Sequence, residues 1–62
     1  MKRTLRSWRV DRELTQVQLA EKAGVSAQSI IKWEKDISTA TVKHLAKVAE
    51  VLGISIDDIV LH

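Results

Sequence analysis

The sequence predicts an all-α domain of five short helices, and three observations carry that expectation. Apolar residues recur at three- and four-residue spacing along most of the chain. A Ser or Thr stands ahead of each stripe, where an N-cap belongs: Thr4, Thr15, Ser26, Thr41 and Ser55. Gly24 and Gly53 each follow a stripe directly, where a helix is ended most cheaply. The 62 residues read as one domain, 1–62. A domain of this size buries only about 60% of the surface its unfolded chain exposes, so its stability is modest.

Taken in order, residues 4–13 read as a first helix. Leu5, Trp8, Arg9 and Arg12 follow the i, i+3, i+4, i+7 stripe, with Leu5 and Trp8 as its core contacts and Val10 left outside the pattern. Glu13-Leu14 leads out of it without a glycine. The second helix starts at Thr15, with Gln18 three residues later as in a capping box, and Leu19, Ala20 and Ala23 share one face. Gly24 stops it, and Val25 is placed to fold back onto Leu19 and Ala20. Because Ser26 at once offers a new cap, only about three residues separate the two helices, the connection of a helix-turn-helix rather than of a parallel hairpin. Along the third helix Ile30 and Trp33 share a face, while Ala27, Gln28, Ile31 and Lys32 point largely elsewhere.

Residues 35–40 are polar and β-branched with no helical stripe, which reads as a surface loop. Thr41 then caps a fourth helix whose Val42, Leu45, Ala46, Val48, Ala49 and Leu52 give a wide apolar face. After Gly53, Ser55 with Asp58 three residues on starts a short fifth helix carrying Ile56, Ile59 and Val60. Residues 54–61 are the one segment rich in β-branched side chains. There Asp57-Asp58 and the Ser cap favour helix over strand.

Composition excludes several function classes. Hydrophobic residues make up 45% and charged residues 29%, which is globular rather than disordered. With no Cys and two scattered His, neither a disulfide framework nor a zinc site is expected, and a reducing, cytoplasmic setting fits. No apolar run approaches the ~18 residues of a membrane span. Paired carboxylates, nucleophile–base spacing and a phosphate-binding Gly loop are all missing, so no enzyme and no cofactor are expected. Net charge is only +2, but Lys2, Arg3, Arg6, Arg9 and Arg12 crowd the start, whereas no Lys or Arg follows Glu50. Such asymmetry suits one face near phosphate and one face away from it.

Residues 15–34 read Thr-Gln-x-x-Leu-Ala-x-x-Ala-Gly-Val-Ser-x-x-x-Ile-x-x-Trp-Glu. This pattern resembles the Cro/cI-type (Xre-like) helix-turn-helix DNA-binding family without a gap, and the likeness extends weakly over nearly the whole chain. The resemblance implies a lambda-repressor-like fold, with the helix-turn-helix formed by the second and third helices and a recognition helix at about 27–34. The family usually has Gly where this chain has Asp36 and Pro where it has Ala40; Asp tolerates a left-handed conformation well enough to keep the turn.

The candidate site follows from both sources. Gln28 can pair with adenine and Lys32 can donate to guanine, while Ala27 and Ile31 offer apolar surface to a thymine methyl. Ile31 could instead pack on the fourth helix. Gln16 sits at a helix N-terminus, where an anion is favoured; its residue type alone fits a solvated side chain, and the resemblance implies a phosphate clamp. Ser29 reaches a phosphate or caps locally. Lys35, Ser38, Thr39 and Lys43 can donate to flanking phosphates, with Asp36 working against them. Trp33 reads as a core lid rather than a stacking platform, and His44 as a plain boundary residue. Arg9 and Glu34 occupy positions that resemble a family ion pair joining the first and third helices; otherwise they are solvated.

The function expected is sequence-specific binding of double-stranded DNA by a transcriptional regulator, by resemblance a repressor. One copy makes few contacts, so a homodimer on a pseudo-palindromic operator is expected, with residues 59–61 as the candidate dimer surface. The competing reading is a protein-interaction module, such as an antitoxin or a helical adaptor.

Overall fold

A computed structural model describes residues 1–60. In order they form α1 (Leu5–Asp11), α2 (Gln16–Ala23), α3 (Ala27–Lys35), a 3-10 turn (Ile37–Thr39), α4 (Val42–Leu52) and a second 3-10 turn (Ile56–Asp58). Each expected hydroxyl cap accepts a backbone N–H of the first turn: Thr4 from Ser7, Thr15 from Gln18, Ser26 from Ser29, Thr41 from His44 and Ser55 from Asp57. Gln18 answers by accepting the Thr15 N–H at 2.9 Å, which closes the capping box. Gly24 and Gly53 end α2 and α4 at φ of 72° and 71°. Beyond each, Val25 and Ile54 donate back to the carbonyls of Ala20 and Ala49 at 3.0 Å. Carbonyls that a helix end leaves without partners are satisfied in this way.

The fifth helix is a correction: Ile56–Asp58 is a single 3-10 turn, although its Ser55–Asp58 capping box forms. Ile59 leaves it extended and pairs in parallel with Arg3, an isolated bridge. A helix continued through Ile59 would have to give up that pairing, in which Arg3 N–H donates to Asp58 O and Val60 N–H donates to Arg3 O. The first helix also stops earlier than 13, because Glu13 turns to φ 57° and sends the chain toward Thr15. Asp36 is extended at φ −149° rather than left-handed; its carboxylate accepts from the Ser38 N–H and caps the first 3-10 turn. Within that connection Ile37 is buried, so the segment is anchored rather than a plain surface loop. On α4 the apolar face is narrower than expected, since Val42 and Ala46 are exposed and only Leu45, Val48, Ala49 and Leu52 are buried.

One core gathers all the elements. Leu5 and Trp8 of α1, Leu19, Ala20 and Ala23 of α2, Ile30 and Trp33 of α3, Ile37, the four α4 residues and Ile59 are buried together. Each fully buried Ile or Leu contributes roughly 1.5–3 kcal/mol by leaving water. This core positions α3: Ile30 and Trp33 point inward, so the opposite side of the helix has to face out.

Candidate nucleic-acid interface

α3 has nine residues, and an α-helix with its side chains is about 10–12 Å across, which fits the ~12 Å width of a B-DNA major groove. Its outward side carries Gln28, Ile31 and Lys32, all exposed, with Ile31 at 40% relative accessibility. Ile31 stays outside the core, and Ala27 is only partly buried against it. A shallow depression on this side is lined by Gln28, Ile31, Lys32 and Lys35, so the four form one continuous surface.

The neighbouring wall is held by Glu34. Its Oε2 accepts from Arg9 Nε at 2.6 Å, and its Oε1 accepts from Arg9 Nη2 at 3.3 Å and from Gln16 Nε2 at 3.1 Å. Arg9 donates its remaining nitrogen, Nη1, to the Leu14 carbonyl at 2.7 Å. The Arg9 and Glu34 side chains are only 12% and 6% exposed. An ion pair so poorly solvated holds geometry more than it adds stability, because desolvation offsets much of its attraction. Here it ties α1, the N-terminus of α2 and the end of α3 into one rigid corner, with Gln16 as its outer edge.

The remaining candidates divide. Ser29 is half-buried, and its hydroxyl meets that of Ser26 at 2.9 Å, a local capping contact. Ser38 Oγ donates to Asp36 Oδ1 at 2.5 Å and Thr39 Oγ1 donates to the Asp36 carbonyl at 2.8 Å, so both hydroxyl protons are used inside the 3-10 turn. Lys35 and Lys43 are exposed at the two ends of that connection. Trp33 is buried under α4, where it stacks on His44 with ring centroids 5.2 Å apart, while Thr41 Oγ1 lies 3.1 Å from His44 Nδ1. That contact gives His44 a packing role which its spacing on α4 did not suggest. Leu61, one of the proposed dimer-surface residues, and His62 lie outside the described residues. Ile59, in the same proposed patch, is buried.

Two features were not visible in the sequence. The link from Gln16 to Glu34 depends on how α2 and α3 cross, and no spacing in the chain encodes that crossing. Around Trp8, the guanidinium groups of Arg3 and Arg12 lie 5.0 and 5.2 Å from the ring centroid, and Trp8 Nε1 donates to the Asp58 carbonyl at 2.8 Å. Arg3 and Arg12 are thereby committed to the fold, with Asp11 as a shared anion. Among the described residues, no group of three or more metal-ligating side chains gathers, and no helix is long and apolar enough to cross a membrane.

The profile of the helix-turn-helix family matches residues 5–59. The chain is 40% identical over 62 residues to an uncharacterized HTH-type transcriptional regulator of Methanocaldococcus jannaschii, an alignment covering all of this chain and 94% of that protein. No solved structure gives a significant match. This chain therefore belongs to the Cro/cI-type helix-turn-helix family of non-enzymatic DNA-binding proteins.

Proposed function

We propose that the chain is a sequence-specific regulator of transcription that binds double-stranded DNA with α3 in the major groove, and that it acts as a repressor. The observation that carries this reading is the outward side of α3, where Gln28, Ile31 and Lys32 are exposed and, among the described residues, Gln28 and Lys32 have no hydrogen-bond or ion-pair partner. A polar pair beside an exposed Ile suits a groove that offers donors, acceptors and thymine methyls together. The likeness to the M. jannaschii transcriptional regulator supports the regulatory role.

In this reading Gln28 and Lys32 read base edges, and Ala27 and Ile31 meet thymine methyls. Gln16 donates to a backbone phosphate through the Nε2 hydrogen that Glu34 does not take, and Arg9 with Glu34 holds it in place. Ser29 sits beside the same backbone. Lys35 and Lys43 contribute flanking phosphate contacts, and Ser38 and Thr39 join them only by releasing their bonds to Asp36. Two copies on half-sites about 34 Å apart make up for the few contacts of one, which favours a pseudo-palindromic operator and a homodimer on DNA. A cytoplasmic location belongs to the same reading.

Selection of binding sites from random duplexes tests the reading. The wild-type chain should enrich one sequence, and Gln28→Ala and Lys32→Ala should each relax preference at particular base pairs by roughly 1–3 kcal/mol while keeping backbone binding. Enrichment that survives both substitutions unchanged would remove α3 as the reader, and a wild-type chain that enriches no sequence even at low salt would favour a protein-interaction module.

A further inference from the structure

The four arginines of the N-terminal segment are committed to different tasks. Arg3 and Arg12 flank the Trp8 ring and share Asp11; Arg12 also donates to the Leu52 carbonyl at 2.9 Å. Arg9 is locked to Glu34 and Leu14. Arg6 is exposed and, among the described residues, has neither a carboxylate within 4.0 Å nor a hydrogen bond. Its position is also different. Arg6 lines an open cleft of about 360 Å³ together with Arg9, Gln16, Ile31, Glu34 and Lys35, and so faces the outward side of α3 across the Gln16 corner. Three cations line that cleft against one carboxylate, and Glu34 is already occupied by Arg9, which leaves Arg6 and Lys35 as uncompensated positive charge at its rim.

We propose that Arg6 is a DNA backbone contact, and that the cleft between α1 and α3 carries the phosphate strand running past the recognition helix. The inference rests on the major-groove reading of α3. A helix lying in the groove brings a phosphate strand along the edge of that groove, and this cleft adjoins Ile31 and Lys35 of α3. A guanidinium without an internal partner gives up no intramolecular bond to make a bidentate contact to a phosphate. Arg6 thus extends the DNA surface onto α1, whereas Arg3 and Arg12 stay with the Trp8 ring.

The test uses the full chain and the duplex enriched by site selection, with unrelated duplexes beside it. Arg6→Ala should weaken binding several-fold on every duplex, leave the preference among sequences unchanged, and lower the slope of log K against log salt by about 0.9 per bound copy. Arg6→Lys should restore most of the slope. Lys22→Ala removes the same charge from an exposed position beside Ala23, Lys47 and Glu50, at the far end of α2, and should leave the slope alone. The unfolding midpoint of Arg6→Ala should match the wild type, since the Arg6 side chain is exposed and, among the described residues, makes no hydrogen bond or ion pair. If wild-type chain binds duplexes but Arg6→Ala changes the slope no more than Lys22→Ala does, this proposal falls and the role of α3 stands. Wild-type chain that binds no duplex even at low salt overturns both.

Discussion

Arg9 uses its guanidinium in two directions at once, toward Glu34 and toward the Leu14 carbonyl, and that arrangement sets what each partner is worth. Removing only the carboxylate leaves a poorly solvated cation beside Gln16, which loses its own acceptor. Glu34→Ala should therefore lower stability by roughly 3 kcal/mol, whereas replacing both partners, Arg9→Met with Glu34→Leu, should cost less than the sum of the two single changes. Urea unfolding of the four proteins measures the coupling; strict additivity would contradict it. At this scale the candidate base readers were legible in the sequence, because Gln28, Ile31 and Lys32 fall off the Ile30–Trp33 face by helical spacing alone. Partners separated by a helix crossing were not. The ion pair is reachable only through resemblance, and no spacing in the chain encodes the hydrogen bond from Gln16 to Glu34. Nor was the His44–Trp33 stack, since a lone His on a helix carries no sign of the ring it will meet.

Helices in this chain are defined by their ends more than by their interiors. Each is 7–11 residues long, below the length at which an isolated helix persists in water, so caps and packing must hold them. The two glycine stops offer a controlled comparison, because an added Cβ at Gly24 or Gly53 would meet nothing within 4 Å. Any penalty there is conformational, not steric. Gly24→Ala and Gly53→Ala should each cost about 1–2 kcal/mol, nearly the same amount, when urea midpoints are compared. A much larger loss at Gly24 would mean that the α2–α3 turn carries strain of another kind. Elements announced by caps and stripes were legible in the sequence for the same reason: a Ser or Thr followed by a periodic stripe and then Gly is a local signal. The departures occur where a nonlocal contact outweighs it. Ser55-Ile-Asp-Asp begins like a helix, but the pairing of Ile59 with Arg3, more than fifty positions away, ends it after one turn. Ile37 looked like loop and is core for a similar reason, since only the packed molecule offers it a place to be buried.

Across the whole molecule the core is continuous from Leu5 to Ile59, and a domain of 62 residues has little stability to spare, roughly 3–9 kcal/mol by size. Ile59→Ala should cost about 2–4 kcal/mol, a large share of that total. Thermal unfolding followed by circular dichroism should show the loss as one cooperative transition at lower temperature, reported alike by helix signal and tryptophan emission. Separate transitions would mean that the C-terminal segment melts apart from the helices. The way that segment is joined also has a mechanical consequence. Arg3 and Ile59 lie in parallel, so a pull between the two ends of the described chain acts along the paired segments in opposite directions. The Arg3 N–H to Asp58 O bond and the Val60 N–H to Arg3 O bond then bear the load together, in shear rather than by peeling. Tension applied across the two ends is carried first by this latch, ahead of the helices that hold α3 on the core.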